Sequence, residues 1–490
     1  MNAHDRLRRE LRDALPADDD FPSPRLRERV VEDLSRPPRR PPARYGRRWS
    51  WLPSAAVLVA VVALVEPVLS EQVPGAGRVE FLSTHSFGQV EFLSSTAQPA
   101  SEYRAMYEQV LKGFDGTPDF NSQPTGAEDV ERIVNEEESL GRSTVDLVAL
   151  THGDLLALQS HDALEDLTPL LRRLQNDRRF APASLDYGRL DTDKQYYIPW
   201  LQATYLMVVN KKALAYKPDG ADVNHLTYDQ LIEWGRNMQA GEGRNLVGLP
   251  ADLSKQGGLI HRFLQGYTYP SYTGTTLTGF ESPDAVTMWE MLRRLWAVSN
   301  ADVSSQSATM GDALVKGQVW VAWDHQARLA APLANSHDFM AIPAPSGPHG
   351  LGYMTALVGL AIPKGAPNRE GAEALIDWLT RPRLQAAAAA SLSFFPVVQG
   401  VNLTGAQALE QRAAYRYHTY GTVETLLPVG LGIDSESLTS IYKETFKRIV
   451  VNNEDIVTVL NDEAEKKLQP LLKDVRCWPP DPPSRPCPIT

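Results

Sequence analysis

Residues 145–150, VDLVAL, form a short apolar run of the kind that becomes a fully buried strand. Two predicted helices precede it, Pro99–Phe114 and Ala127–Leu140, and an earlier strand is predicted at Val90–Ser95. Strands that alternate with helices in this way indicate βαβ units, in which helices cover a largely parallel sheet. The segment around residue 145 therefore places the chain in the α/β class.

The same alternation continues towards the C-terminus. Residues 196–210, YYIPWLQATYLMVVN, are a long apolar run, and Pro199 within it predicts a bend or a change of sheet because proline is poorly tolerated in a central strand. Further strands are predicted at Val319–Trp323 and Leu357–Ile362. The helices predicted after them are Glu370–Leu379, Arg383–Ala390, Leu438–Val450 and Asn453–Leu472.

A different pattern occupies the N-terminal region. Residues 49–65, WSWLPSAAVLVAVVALV, carry no charge, and six arginines lie in residues 36–48 just before them. At about 1.5 Å per residue the run spans about 26 Å, which is enough for a bilayer core. The arginines favour an N-terminus inside the cell. We predict an uncleaved single-pass signal anchor over residues 49–69, a cytoplasmic Arg/Pro-rich tail over 1–48, and an extracellular or periplasmic bulk.

A cleaved signal peptide is the main alternative for this run. It would have a preceding region of 48 residues, and no small-x-small cleavage site follows Leu69.

Length and charge limit the possible functions. A chain of 490 residues predicts two to four domains or lobes, and 43% apolar with 22% charged residues excludes global disorder. The first 50 residues hold 13 arginines and nine acids, a net charge of +4. The remaining residues therefore carry a net charge of −15, which gives the total of −11. Nucleic-acid binding needs a cationic face, so an acidic bulk argues against it.

The two cysteines, Cys477 and Cys487, lie in the Pro-rich residues 473–490. Ten residues apart and outside the membrane, they are predicted to form a disulfide, with two free thiols as the alternative. Two cysteines do not build a four-ligand zinc site without other ligands.

Motifs of catalysis are missing from the sequence. It contains no Walker loop, G-x-G-x-x-G, H-E-x-x-H, G-x-S-x-G or C-x-x-C. Ser440–Lys443 matches S-x-x-K, but neither S-D-N nor K-T-G accompanies it, so we attribute the match to chance. We predict no catalytic residue, no metal and no cofactor.

Aromatic residues near Pro, Gly or strand termini indicate a ligand cleft. Flat rings flanked by hydrogen-bonding groups suit a sugar, which offers apolar C–H faces and many hydroxyls. For any single ring, packing in the core is the alternative. The rings are Trp200, Tyr205, Tyr267, Tyr269, Tyr272, Trp323 and Tyr353.

From about residue 88 to 472 the chain resembles the family 1 extracellular solute-binding proteins of ABC importers, the group that includes maltose-binding protein. The resemblance rests on diffuse signatures in a fixed order. They are VDLVALTHGDLLALQSHDALEDLTPLL (145–171), YYIPWLQATYLMVVNKKAL (196–214), LTYDQLIEWG (226–235), ALVKGQVWVAWDH (313–325), ALVGLAIPKGAPNREGAEALIDWLT (356–380) and FFPVV (394–398).

The resemblance implies a two-lobed, periplasmic-binding-protein-like clamshell of type II. After a linker over residues 70–77, the first α/β lobe would comprise 78–198 plus about 325–380, and the second 199–324 plus about 381–472. Hinge crossings would lie near Pro199–Gln202, Trp323–Pro332 and Leu379–Arg383.

By position, the resemblance also implies ligand-binding residues. The first lobe would offer Ser95, Thr96, Gln98, His152 and Asp154. The hinge would offer Trp200, and the second lobe Tyr267, Trp323, Asp324 and Tyr353.

We therefore expect a bacterial, membrane-anchored binding protein that captures a small solute, a carbohydrate, by lobe closure. Its partners would be the solute, the permease of an ABC importer, and the lipid bilayer through residues 49–69. Family members are usually lipidated or free in the periplasm, so this anchor departs from the pattern. The alternative is a ligand-sensing receptor that signals through the cytoplasmic tail.

Overall fold

The computed structural model describes residues 87–95, 100–122, 132–133, 135–136, 140–190, 192–253, 258–307, 309–392, 394–405, 408, 413, 422–426 and 435–473. The predicted tail, signal anchor, linker and disulfide lie outside these residues, as do Thr96 and Gln98. Among the helices that the structure describes, none is both long enough and apolar enough to cross a membrane.

The described strands form two sheets. The first has the order β10-β4-β9-β3-β1-β2, with β11 beside β9, and the second has the order β6-β7-β5-β8. The strands are β1 Gln89–Ser94, β2 Thr117–Ser122, β3 Leu147–Thr151, β4 Ile198–Ala203, β5 Tyr205–Asn210, β6 Val247–Gly248, β7 Val321–His325, β8 Phe339–Ile342, β9 Leu351–Ala361, β10 Phe395–Pro396 and β11 Thr422–Leu426.

Both sheets are mixed rather than largely parallel. In the first sheet β1 runs parallel to β2 and β3, but β9 runs antiparallel to both β3 and β4. In the second sheet β5 is antiparallel to β7 and β8, while β6 is parallel to β7. The apolar runs correctly predicted where strands lie, but they do not show which strands pair or in which direction. The prediction of a largely parallel sheet was wrong because β9 lies between β3 and β4 and runs antiparallel to both.

Helices cover the sheets, which confirms the α/β class. The α-helices are α1 Ala100–Ala105, α2 His152–Ser160, α3 Thr168–Leu174, α4 Pro182–Tyr187, α5 Tyr228–Glu242, α6 Ile260–Phe263, α7 Tyr269–Thr273, α8 Pro283–Ala297, α9 Ala301–Gln306, α10 Met310–Val315, α11 Gln326–Leu333, α12 Arg369–Leu379, α13 Pro382–Leu392, α14 Ser435–Phe446, α15 Ile456–Glu463 and α16 Gln469–Lys473. A 3₁₀ helix occupies Lys211–Tyr216, and π-helical turns occupy Met106–Leu111, Leu264–Thr268, Lys447–Val451 and Ala464–Leu468.

Each sheet has its own hydrophobic core, so the described chain is two-lobed. The first core draws on residues 90–201 and 357–398, and Trp200 is its largest fully buried side chain. The second draws mainly on residues 205–354 and 438–468, and it encloses Trp234, Trp289 and Trp323. Burying these apolar surfaces separately gives each lobe its own source of stability.

The first passage between the lobes lies at Thr204, where β4 of the first sheet ends and β5 of the second begins. The predicted break at Pro199 is instead a bulge, since the register with β9 shifts between Pro199 and Leu201 and β4 continues to Ala203. Proline removes one donor from the ladder, and a bulge accommodates that loss without ending the strand.

The second passage lies within β9. Residues 351–355 pair with β11, whereas 356–361 pair with β4 and β3 of the first lobe. The lobe boundaries expected at 325 and 381 differ from this packing. β8 pairs with β5, so the chain after residue 325 stays in the second lobe until β9. Helix α13 packs against the turn Met106–Leu111, so the chain after residue 381 is still in the first lobe.

Candidate functional site

The crossing at Thr204 is held by reciprocal hydrogen bonds to the start of α11. The Thr204 N–H donates to Oε1 of Gln326 at 3.0 Å, and the Gln326 N–H donates to the Thr204 carbonyl at 3.1 Å. The Thr204 hydroxyl donates to the carbonyl of Met354 at 2.9 Å. Both passages between the lobes therefore meet at one residue.

Tyr267 reinforces this crossing from the π-helical turn Leu264–Thr268. Its hydroxyl accepts the Tyr205 N–H at 3.2 Å and donates to the Tyr205 carbonyl at 3.0 Å. It also lies 3.2 Å from the Thr204 hydroxyl oxygen. Such π-helical turns occur often at functional sites. The predicted ligand residue Tyr267 is fully buried here and braces the start of β5.

Trp323 is enclosed by three other rings. It stacks on Tyr205 with centroids 4.9 Å apart and an interplanar angle of 5°, and Phe263 and Tyr267 meet it at 4.9 and 5.1 Å. The ring is fully buried, and its Nε1–H has no acceptor among the described residues. Buried tryptophans usually find an acceptor. The Trp323 N–H is therefore an unused donor beside the crossing.

Asp324, the next residue of β7, is fully buried and bonded to backbone. Its Oδ2 accepts the Met310 N–H at 2.8 Å and its Oδ1 accepts the His325 N–H at 2.8 Å. Burial raises its pKa to about 6, although Arg328, at 3.9 Å, opposes that rise. These contacts give Asp324 a structural role in joining β7 to α10.

In the first lobe the ends of two parallel strands bring polar groups to one edge. The Ser95 N–H, just after β1, donates to the Ala149 carbonyl of β3 at 3.0 Å. His152 and Asp154 begin α2 directly after β3, and Oδ2 of Asp154 accepts the Thr151 hydroxyl at 2.6 Å. Both Thr151 and Leu201 pair with the same residue of β9, which puts this edge close to the crossing.

His152 is buried and neutral at physiological pH. Its Nδ1 lies 2.8 Å from the Tyr197 hydroxyl oxygen, and burial lowers its pKa to about 4. Its Nε2 has no partner among the described residues. His152 thus has one anchored nitrogen and one that is available to a further group.

The structure does not bring every predicted site residue into one cluster. Trp200 lies in the first-lobe core, 6.0 Å from the ring of Phe92, whereas Trp323 lies in the second-lobe core. Tyr353 is buried on β9 where that strand pairs with β11. Ser95 is partly exposed and the other described candidates are buried, so these rings do not form the exposed platform that a cleft of aromatic residues implies.

A cavity of about 470 Å³ in the second lobe lies beside a cation that the sequence interpretation missed. Lys443 lines it and is only 7% exposed. Its other described lining residues are Leu253, Glu436, Ser437, Thr439, Ser440, Glu444 and Lys447. Lys443 is the lysine of the S-x-x-K match, which we attributed to chance. Two arginines in the same region, Arg262 and Arg328, belong to no recognisable motif.

In the described part of the chain, no three His, Cys, Asp or Glu side chains are grouped so that they could hold a metal ion. The arrangement offers hydrogen-bond donors and cations around the crossing. Such groups can bind a polar solute.

A family model described as "Bacterial extracellular solute-binding protein" matches residues 116–414. A search of curated proteins found no match.

Solved structures show the same fold at low sequence identity. Maltose-bound MalE3 of T. maritima has a TM-score of 0.60 and 16% identity, over 78% of this chain and 100% of that one. UgpB of Mycobacterium tuberculosis in complex with glycerophosphocholine has a TM-score of 0.58 and 18% identity, over 79% of this chain and 98% of that one. The sugar-binding protein MalE of Xanthomonas citri has a TM-score of 0.57 and 16% identity, over 79% of this chain and 98% of that one.

Proposed function

Because this chain belongs to the bacterial extracellular solute-binding proteins, which are binding proteins and not enzymes, we propose that it captures a small carbohydrate between its two lobes. The observation that carries the proposal is the crossing at Thr204, which joins two separately packed lobes beside unused donors from each. Maltose in the T. maritima neighbour supports a sugar as the ligand class.

Lobe closure is the proposed mechanism. A solute that touches both lobes favours the closed conformation by its extra affinity for that state. The first-lobe contacts would come from Ser95, Thr96, Gln98, His152 and Asp154, with Trp200 at the hinge. The second-lobe contacts would come from Tyr267, Trp323, Asp324 and Tyr353. Since most of these side chains are buried, they act mainly through the atoms left unused, such as Nε2 of His152 and Nε1 of Trp200 and Trp323.

Delivery of the solute to the permease of an ABC importer completes the proposal. Residues 49–69 would tether the protein to the membrane while the lobes face outward. The sequence of that segment and its arginine-rich flank support the tether. Cell fractionation tests it: the full chain should sediment with membranes, and deletion of residues 49–69 should release it. A full chain that stays in the soluble fraction would contradict the anchor.

Thermal unfolding of the purified full-length protein tests the binding function. The panel should contain mono- and oligosaccharides, polyols, amino acids and phosphorylated compounds. A ligand at a hundred times its dissociation constant adds about 2.7 kcal/mol to the free energy of unfolding. Stabilisation by a sugar would support the proposal. A folded protein that no sugar stabilises would overturn carbohydrate capture, and a hit among the amino acids would reassign the ligand class.

A further inference from the structure

Arg262 is a cation without a carboxylate partner among the described residues. It lies in α6, it is partly exposed, and its guanidinium donates to Oε1 of Gln265 at 3.0 Å. Burial lowers the pKa of Arg262, and the hydroxyl of Tyr205 at the start of β5 is close enough to oppose that effect. Arg262 therefore stands near the crossing between the lobes with most of its donors still to be used.

Gln265 adds a second unused donor at the same place. Its side chain is fully buried, and Arg262 occupies its Oε1. Its Nε2 has no acceptor among the described residues. Because buried amide groups are nearly always hydrogen-bonded, this donor indicates an acceptor that the described residues do not supply.

Two more cations lie within electrostatic reach of Arg262. Burial lowers the pKa of Lys443, and the charges of Arg262 and Arg328 lower it further while Asp252 opposes them. The same three cations act on the neighbouring His261, whose pKa burial already holds well below its usual range. Like charges gathered in a partly buried region destabilise one another unless an anion lies among them.

The described acids in this region already have other contacts. Asp324, whose carboxylate accepts two backbone N–H groups, is 3.9 Å from Arg328. Asp252 is the acid that acts on Lys443. Glu436 and Glu444 line the adjoining cavity and lie on α14 together with Lys443. Glu444 is 3.7 Å from Nζ of Lys447, which begins the next turn. Among the described residues Arg262 forms no ion pair with any of these acids, and it lies beside the unused amide donor of Gln265.

We propose that the captured solute carries an anionic group, a phosphate or a carboxylate, that Arg262, Arg328 and Lys443 bind on the second-lobe side of the crossing. The inference rests on the proposed function, which it narrows to acidic carbohydrates. A guanidinium matches both oxyanions with two parallel N–H donors, and Nε2 of Gln265 offers another donor beside it. The cavity of about 470 Å³ next to Lys443 is of a size that small ligands occupy.

Calorimetric titration of the full-length protein with matched solutes tests the inference. The solutes are glucose, glucose 6-phosphate, glucuronate, glycerol, glycerol 3-phosphate and inorganic phosphate. We expect an anionic member to bind about tenfold tighter than its neutral partner, as hydrogen bonds to a charged group imply. Preference for glucose 6-phosphate assigns a phosphate, and preference for glucuronate assigns a carboxylate.

Variants connect the preference to the named residues. Arg262→Gln should weaken binding of the anionic solute about tenfold and leave the affinity for its neutral partner unchanged. Arg262→Lys keeps the charge but not the paired N–H donors, so it should lose less affinity than Arg262→Gln. Arg294→Gln is the control, because Arg294 is an exposed arginine of the same lobe paired with Asp229. Unfolding of each variant without ligand shows that it folds.

The outcomes separate this inference from the proposed function. Equal affinity for neutral and anionic partners, or an anion preference that survives Arg262→Gln, overturns the inference and leaves carbohydrate capture in place. If none of the anionic solutes binds while a neutral sugar of the thermal-unfolding panel does, the inference alone is overturned. Failure of every sugar in that panel to stabilise folded protein contradicts the proposed function as well.

Discussion

Single side chains at the crossing perform tasks that their residue types alone do not reveal. The hydroxyl of Tyr267 makes two hydrogen bonds to the backbone of one residue, Tyr205, and contacts Thr204. A tyrosine expected to meet ligand thus fixes the direction in which β5 leaves the hinge. Trp200 and Trp323 could be proposed from sequence as site residues, but sequence does not say which face of a strand a ring occupies.

Tyr267→Phe should lower the free energy of unfolding by about 1–3 kcal/mol, because it leaves the buried N–H of Tyr205 without an acceptor. Urea unfolding of the full-length protein measures this. Tyr272→Phe is the matched control, since no hydrogen bond joins the Tyr272 hydroxyl to a described residue and burial holds its pKa at about 12. Equal losses in the two variants would show that the Tyr267 hydroxyl bonds contribute nothing specific.

His152 predicts a pH dependence of stability. Its pKa is about 4 in the folded protein against an ordinary value of 6.5, so between these values the unfolded chain binds a proton that the folded chain does not. Stability should therefore fall as pH drops from 6.5 towards 4, by up to about 1.4 kcal/mol per pH unit for this group. His325, with a similarly lowered pKa, acts in the same direction, while the raised pKa of Asp324 acts in the opposite one.

His152→Asn should make that pH dependence shallower while keeping a hydrogen-bonding group near the Tyr197 hydroxyl. The measurement is the urea midpoint of the full-length protein between pH 4 and 7. His349→Asn is the control, because His349 is exposed and forms no ion pair among the described residues. An unchanged slope in His152→Asn would mean that His152 is not the buried neutral group that the structure indicates.

At the scale of elements, β9 joins the two lobes through its own length. It pairs with β11 in its first half and with β3 and β4 in its second. The sequence predicted only the apolar second half, from Leu357, because residues 351–355, LGYMT, mix glycine and polar groups and form no apolar run. The family resemblance placed the second crossing near Trp323–Pro332, and the structure has it some thirty residues after Trp323, within β9.

Gly352 sets the approach of β9 to the π-helical turn that carries Tyr267. A Cβ at this position would stand 2.3 Å from the Tyr267 carbonyl oxygen, closer than any real contact. Gly352→Ala should therefore lower the free energy of unfolding by about 1–3 kcal/mol or more, since backbone must move. Ala356→Ser also adds one heavy atom to β9, at a partly exposed position, and should have little effect. A full-stability Gly352→Ala protein, measured by urea unfolding, would refute the close approach.

At the scale of the whole molecule, the proposed function depends on the two lobes moving about the crossing. The class of fold and the order of its elements could be predicted from apolar runs, because each run reflects local burial. The cation cluster could not, because Arg262, Arg328 and Lys443 are brought together by packing between helices far apart in sequence.

Saturating ligand should shorten the distance between fluorophores placed at Glu108 and Glu290, exposed positions on the first and second lobes. Energy transfer between them, recorded with the best stabilising solute of the panel, measures closure directly. A solute that gives no thermal stabilisation serves as the control and should leave the transfer unchanged. Tight binding without any change in transfer would exclude lobe closure as the mechanism.

The uneven placement of tryptophan has a practical consequence for spectroscopy. Among the described residues, Trp200 and Trp378 belong to the first core, whereas Trp234, Trp289, Trp296, Trp320 and Trp323 belong to or pack against the second. Intrinsic emission will therefore report mainly on the second lobe. Should the lobes melt separately, fluorescence and circular dichroism will trace different denaturation curves, and a single-transition fit to either would misjudge the stability of the chain.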